Sequence, residues 1–273
     1  MSEVTWVDVP GAQLAAEYER PRGADGLPLV FLHAGVADGR MWQPQWEAFA
    51  EKHPRLRYDR RGFGQSHTQH AMPYSRTADL LAVLDRVGLQ RSVLVGCSQG
   101  GRVALDLAIA RPDRVAALVL VAPAVNGAPT PELQGAVKAL SEGADAACEA
   151  GNLDAANQLE AQLWLDGPGA PRGRVGGDAR ALFLEMNGIV LAAPDPGTAV
   201  DEPSAWVRLE QIGRPTLVVW GDLDLPHLQD RCAALVQRIP GARGRLLAGT
   251  AHLPNLEEPA RFNAALAEFL EAL

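Results

Sequence analysis

The 273-residue sequence predicts a doubly wound α/β domain, a mostly parallel sheet packed between helices, with a helical insertion. Short apolar runs bounded by loop residues alternate with stretches whose apolar residues recur at three- and four-residue spacing, the helix period. The runs lack polar alternation, as expected of strands covered on both faces. The alternation then lapses between about residues 124 and 205, so something other than sheet is expected there.

The chain opens with two β-rich stretches, Val4 to Val9 and Gln13 to Tyr18, divided by Pro10-Gly11, a turn pair, and a hairpin is expected. Leu29 to Leu32, Arg55 to Tyr58, Val93 to Val95, Val115 to Val121, Thr216 to Trp220 and Arg245 to Leu247 read as strands. Between them Asp79 to Val87, Arg102 to Ala110, Leu228 to Ile239 and Leu256 to Leu270 carry the helix period. Residues 124–205 are Ala-rich and helical, then Gly- and Pro-rich through Asp166-Gly-Pro-Gly-Ala-Pro, then helical again around Ala179 to Leu191. This division predicts a core of residues 1–123 and 206–273, with residues 124–205 as a helical cap above the sheet.

At 47% hydrophobic and 21% charged residues the chain can bury a core without disulfides or metal. Its formal charge of -8 has the wrong sign for a nucleic-acid or anionic-membrane partner. The expected cap holds 12 acids and 4 bases, so the whole excess sits there. Cys97, Cys148 and Cys232 are widely spaced and form no metal or redox pair, which suits a reducing compartment. The amino terminus lacks a basic start and apolar block, and no apolar stretch approaches the ~20 residues that span a bilayer, so a cytoplasmic protein is expected.

Gly96-Cys-Ser-Gln-Gly100 reads G-x-S-x-G between an expected strand and an expected helix. A strand that turns this sharply into a helix strains Ser98, and side chains at 96 and 100 would collide with the neighbouring strand and helix, so glycines are expected there. The turn sets the helix amino terminus, with its unpaired N–H groups, beneath Ser98. Cys97 is expected to point into the core as a small apolar filler.

A serine hydroxyl needs a positioned base, and the base an acid to hold it. Four histidines, His33, His53, His67 and His70, precede Ser98 and are out of order; His227 starts an expected helix near a candidate acid loop. His252 stands in a strand-to-helix loop at the sheet edge where ligands bind, and is the candidate base. Asp222 and Asp224, in the loop after Thr216 to Trp220, are both candidate acids.

These motifs resemble the α/β hydrolases from Leu29 to Pro259. The resemblance favours Asp224 as the acid, three residues after the loop glycine, and leaves Asp222 to hydrogen-bond the loop backbone. Leu32-His33-Ala34-Gly35 resembles the family's oxyanion motif, with Ala34 in place of its first glycine. It implies an oxyanion hole from the backbone N–H groups of Gly35 and of Gln99, the residue after the nucleophile. Asp59-Arg60-Arg61-Gly62-Phe63-Gly64-Gln65-Ser66 resembles the family's D-x-R-G-x-G-x-S turn, whose Asp, Arg and Ser brace neighbouring loops without chemistry.

Within the family a serine nucleophile implies esterases, lactonases, carbon-carbon bond hydrolases or cofactor-free perhydrolases. Asn255-Leu-Glu-Glu-Pro, with the Gly-x-Ser-x-Gly-Gly elbow, resembles 3-oxoadipate enol-lactonases. An acidic cap suits small, largely uncharged esters or lactones better than anionic ones. Trp42, Trp164, Phe183 and Met186 are the candidate pocket residues. No metal and no cofactor are expected. Some proteins resembling this family keep the three residues yet serve as ligand receptors, and sustained turnover separates enzyme from receptor.

Overall fold

A computed structural model describes residues 4–200 and 203–273; the first three residues of the expected core, and 201–202 within the expected cap, lie outside the described residues. In chain order, β1 (Val4–Val9) and β2 (Ala12–Glu19) form a hairpin, followed by β3 (Leu29–Leu32), a 3-10 turn at Gly39–Trp42 and α1 (Gln43–Ala48). Next come β4 (Arg55–Tyr58), β5 (His67–Thr68), α2 (Arg76–Arg86), β6 (Ser92–Cys97), α3 (Gln99–Ala110) and β7 (Val115–Val121). The stretch before β8 (Thr216–Gly221) carries α4 (Gly135–Glu149), α5 (Leu153–Glu160), a π-helical turn at Ala161–Asp166 and α6 (Gly177–Ala192). The chain ends with α7 (Pro226–Arg238), β9 (Arg243–Leu247), α8 (Pro254–Glu257) and α9 (Pro259–Glu271).

The strands form one sheet in the order β1-β2-β4-β3-β6-β7-β8-β9, with β5 beside β2. Strand β2 runs antiparallel to β1, β4 and β5, and every pair from β4 to β9 along the sheet is parallel. The continuous apolar runs divide by alternate residues between the two faces. Val30 and Leu32 join Leu80, Val103, Leu107 and Leu235 on the face covered by α2, α3 and α7. Leu29 and Phe31 join Trp46, Phe262, Leu266 and Phe269 on the face covered by α1 and α9. Each such side chain, taken out of water, contributes on the order of 1.5–3 kcal/mol.

Two of the departures from the sequence expectation have a local cause. The helix expected from Leu256 to Leu270 is two helices, because Pro259 offers no N–H and drives Glu258 out of the helical region to φ -133 and ψ 63. Strand β9 begins at Arg243, two residues early; Gly244 admits it because a Cβ there would lie 3.1 Å from the Trp220 ring. Among the described residues no helix is long and apolar enough to cross a membrane.

The elements that matter for chemistry meet at the carboxyl ends of the parallel strands. Helices α4 to α6 and their connections reach this edge: the Trp164 carbonyl accepts the His252 N–H, Arg40 pairs with Glu185, and Tyr74 bridges to Ala199. Asp166 knots the Gly- and Pro-rich loop, its buried carboxylate accepting from the Gly173 and Val175 N–H groups and from Arg180.

Candidate active site

Ser98 sits between β6 and α3 with φ 50 and ψ -114, a left-handed conformation that costs a non-glycine residue roughly 1–3 kcal/mol. Three backbone bonds hold it there. Its N–H donates to the Val121 carbonyl, and its carbonyl accepts from Arg102 and Ala124. A Cβ at Gly96 would lie 2.5 Å from the Gly100 carbonyl oxygen, and one at Gly100 would lie 2.1 Å from that of Leu32. Cys97 is fully buried, and burial raises its thiol pKa well above the ordinary value, so this sulfur is held protonated.

Asp224 lies in the loop after β8 and His252 in the loop after β9, and the two are brought together. His252 Nδ1–H donates to Asp224 Oδ2 at 2.9 Å, with both residues buried. The other carboxylate oxygen of Asp224 accepts from the Leu225 N–H at 2.8 Å, which fixes the carboxylate plane. That bond leaves Nε2 of His252 as the free ring nitrogen. Cys97 Sγ lies 3.7 Å from the His252 carbonyl, so the histidine loop is packed against the Ser98 turn across 155 residues of sequence. Asp222 turns away and accepts from the Gly249 N–H at 2.6 Å. His227 is half-buried on the first turn of α7, with its pKa lowered by burial and by Arg231.

The loop that carries His252 is clamped by a residue the sequence reading passed over. Glu257 accepts from the N–H groups of Ala251 and Leu253, on either side of the histidine, and pairs with Arg174. Burial raises its pKa against these contacts. Arg174 also donates to the carbonyls of Leu165, Asp166 and Gly249, tying the Gly- and Pro-rich loop to the histidine loop. The Asn255-Leu-Glu-Glu-Pro stretch carried the signal, but its two adjacent glutamates are indistinguishable until the loop is folded.

Gly35 and Gln99 are neighbours: a Cβ on Gly35 would lie 2.5 Å from Gln99 Nε2. Ala34 is wholly buried and its N–H points at Met41 Sδ, 3.3 Å away. The bracing turn behind them is anchored by Asp59, whose two oxygens accept from Gly39 and Gln65 N–H groups at 2.8 Å. Burial, with the nearby Asp38 charge, lifts Asp59 to about 6. Ser66 Oγ donates to the Asp59 carbonyl, and Arg61 makes a two-point pair with Asp79.

His33 is fully buried with both ring nitrogens used. Nδ1–H donates to the Ala34 carbonyl at 2.7 Å, and Nε2 accepts from the Arg60 N–H at 3.0 Å. Burial, followed by the Arg60 charge, lowers its pKa well below the ordinary 6.5. The unfolded chain therefore takes up a proton near pH 6.5 that the folded chain refuses, so this contribution to stability is present above that pH and is lost as the pH falls below it. Urea unfolding between pH 7 and 5 should show a slope of up to about 1.4 kcal/mol per pH unit from this group, which His33→Asn removes. Equal slopes in the two proteins would refute the assignment.

Of the four expected pocket residues, Trp164 lies against the candidate base. It stands on the π-helical turn with its ring 4.7 Å from that of His252. Trp42 is a core residue, packed against Phe31 and Phe262, and Phe183 and Met186 are fully buried in the same apolar layer. A cavity of about 250 Å³ opens beside Gln99, lined by Arg60, Phe63, Tyr74, Gly197 and Ala199 among others. Among the described residues no cluster of side chains is arranged to hold a metal ion.

A family profile described as alpha/beta hydrolase fold matches residues 28–259. A putative carbamate hydrolase, RutD, of Caulobacter vibrioides strain NA1000 is 27% identical over 90% of this chain and 91% of its own length. An esterase of Rhodococcus sp. ECU1013 superposes with a TM-score of 0.78 at 25% identity over all of both chains. A solved enzyme that degrades N-acyl homoserine lactones superposes with a TM-score of 0.73 at 27% identity, over 97% of this chain and 100% of the other.

Proposed function

The chain belongs to the alpha/beta hydrolase family, and on that premise we propose that it is a serine hydrolase that cleaves carboxylic esters or lactones of small, largely uncharged substrates through an acyl-enzyme on Ser98. The observation that carries this reading is the buried His252–Asp224 pair at 2.9 Å, packed against a turn that strains one serine at the head of α3. Ser98 Oγ attacks the acyl carbon as its proton passes to Nε2 of His252, and Asp224 holds the imidazolium that forms. The carbonyl oxygen gains negative charge and accepts from the N–H groups of Gly35 and Gln99. The proton on Nε2 then goes to the departing alkoxide oxygen. Water, losing a proton to His252, attacks the acyl carbon and releases the acid while Ser98 recovers its proton.

The Trp164 ring beside His252 supports an apolar acyl or alcohol subsite, and the net negative charge of residues 124–205 disfavours anionic substrates, though weakly at physiological salt. We place the protein in the cytoplasm, where its three unpaired thiols remain reduced. The carbamate hydrolase relative favours a second reading in which the acyl carbon bears nitrogen.

A panel of p-nitrophenyl esters, small lactones, an alkyl carbamate and a vinylogous diketone, each run with wild type and Ser98→Ala, tests the proposal. Sustained Ser98-dependent turnover of esters or lactones is expected. Turnover confined to the carbamate transfers the assignment to the second reading, and turnover confined to the diketone makes the enzyme a carbon-carbon bond hydrolase. One equivalent of p-nitrophenol followed by silence would make the protein a covalent receptor.

A further inference from the structure

Arg60, in the turn after β4, is buried at 6% exposure and is paired with no carboxylate among the described residues. Its guanidinium donates to Gln99 Oε1 at 3.0 Å, to the Ala34 carbonyl at 3.0 Å and to the His33 carbonyl at 3.2 Å, with the Phe63 ring 4.5 Å away. The neighbouring Arg61 shows the ordinary alternative, a two-point ion pair with Asp79. Burial pulls the Arg60 pKa down to about 10, which still leaves it charged at neutral pH. A buried cation neutralised only by dipoles is costly to keep. Its partners, however, include the back of one peptide group assigned above to oxyanion stabilisation, at the Ala34 carbonyl, and the side chain of the residue that carries the other, Gln99.

In a planar trans peptide the N–H of Gly35 points opposite to the carbonyl of Ala34. That carbonyl is loaded from behind by two donors, Arg60 Nη2–H and His33 Nδ1–H at 2.7 Å. The two bonds fix the peptide plane, and a cation on the carbonyl withdraws charge from the N–H at the far end, which makes it a stronger donor. The same guanidinium holds Gln99 by its side-chain oxygen, and so holds the residue that carries the other N–H. We infer that Arg60 is a positioning residue for the oxyanion hole, setting the orientation and donor strength of the Gly35 N–H and fixing Gln99 beside it. The inference rests on the serine-hydrolase reading.

Arg60→Met keeps much of the volume and removes every donor. Measured on a p-nitrophenyl ester and normalised to active sites titrated by the p-nitrophenol burst, kcat should fall about 10²-fold, the scale of losing one oxyanion donor, with KM within about twofold of wild type. The Ki of an alkyl boronic acid, whose Ser98 adduct mimics the oxyanion, should rise by the factor by which kcat/KM falls. A purely structural role would instead lower the titrated active fraction and the melting temperature, leaving kcat per active site and boronate affinity unchanged, and that outcome overturns the inference. Should Arg60→Met fail to fold, Arg60→Lys carries the test. Its single ammonium cannot span all three oxygens, so kcat per site should fall about tenfold at unchanged KM, and a change under threefold overturns the inference. Failure of the underlying reading looks different, because wild-type turnover would then survive Ser98→Ala.

Discussion

Replacing His252 with alanine should slow Ser98-dependent ester turnover by roughly 10⁴- to 10⁶-fold while the chain stays folded. Without the imidazole the Ser98 proton has no acceptor as Oγ attacks, and the leaving group has no donor. Ser98→Ala should cost a similar factor, and the double variant Ser98→Ala/His252→Ala no more than either alone, because the residues act as one unit. Asp224→Asn separates holding from accepting. An Asn oxygen can still take the Nδ1–H, but it brings no charge to balance the imidazolium, and a flipped amide would favour the wrong tautomer. A loss of about 10⁴-fold is expected. Steady-state rates on a p-nitrophenyl ester, with circular dichroism as the folding control, give all four results. If His252→Ala kept wild-type turnover, the base would lie elsewhere; His227, half-buried beside Asp224, would be the next residue to test.

Gly100→Ala should destabilise the protein more than an ordinary surface substitution by a wide margin. The added methyl would sit 2.1 Å from the Leu32 carbonyl oxygen, 2.5 Å from its carbon and 2.7 Å from the His33 oxygen. All three are backbone atoms of the strand end that leads into Gly35, so no side chain can swing aside to make room. Either β3 or the head of α3 must move. Overpacking against well-ordered groups costs typically 1–3 kcal/mol and more where only backbone can yield, so a loss of about 3 kcal/mol is expected. For a chain of this size that corresponds to a fall in melting temperature of roughly 6–12 °C. The movement would also displace the His33–Gly35 segment, and turnover should fall with it. A Gly100→Ala protein with wild-type melting temperature and turnover would show that the elbow is not packed as described.

The period-two division of the sheet residues between two apolar layers, the helix faces of α2, α3 and α7, and the strained serine turn all follow from residues a few positions apart. Local sequence carries them because hydrophobic period and backbone sterics act over one or two turns of chain. The break at Pro259 was equally local, and the apolar period of Leu256 to Leu270 hid it. Residue type alone did not separate an aromatic beside His252 from a core one. Trp42 and Trp164 read alike, yet one is sealed between Phe31 and Phe262 and the other faces His252.

What the sequence determined by itself was therefore the layered α/β architecture, the serine in its turn, and the short list of acids and histidines from which its partners had to come. Which acid meets His252, which glutamate clamps its loop, and that Arg60 reaches both the Ala34 carbonyl and the Gln99 side chain were decided only when the loops at the carboxyl edge of the sheet came together. These contacts join residues far apart along the chain. Their energies depend on burial and on the direction of individual hydrogen bonds, and neither exists until the strands have set the distances between those loops.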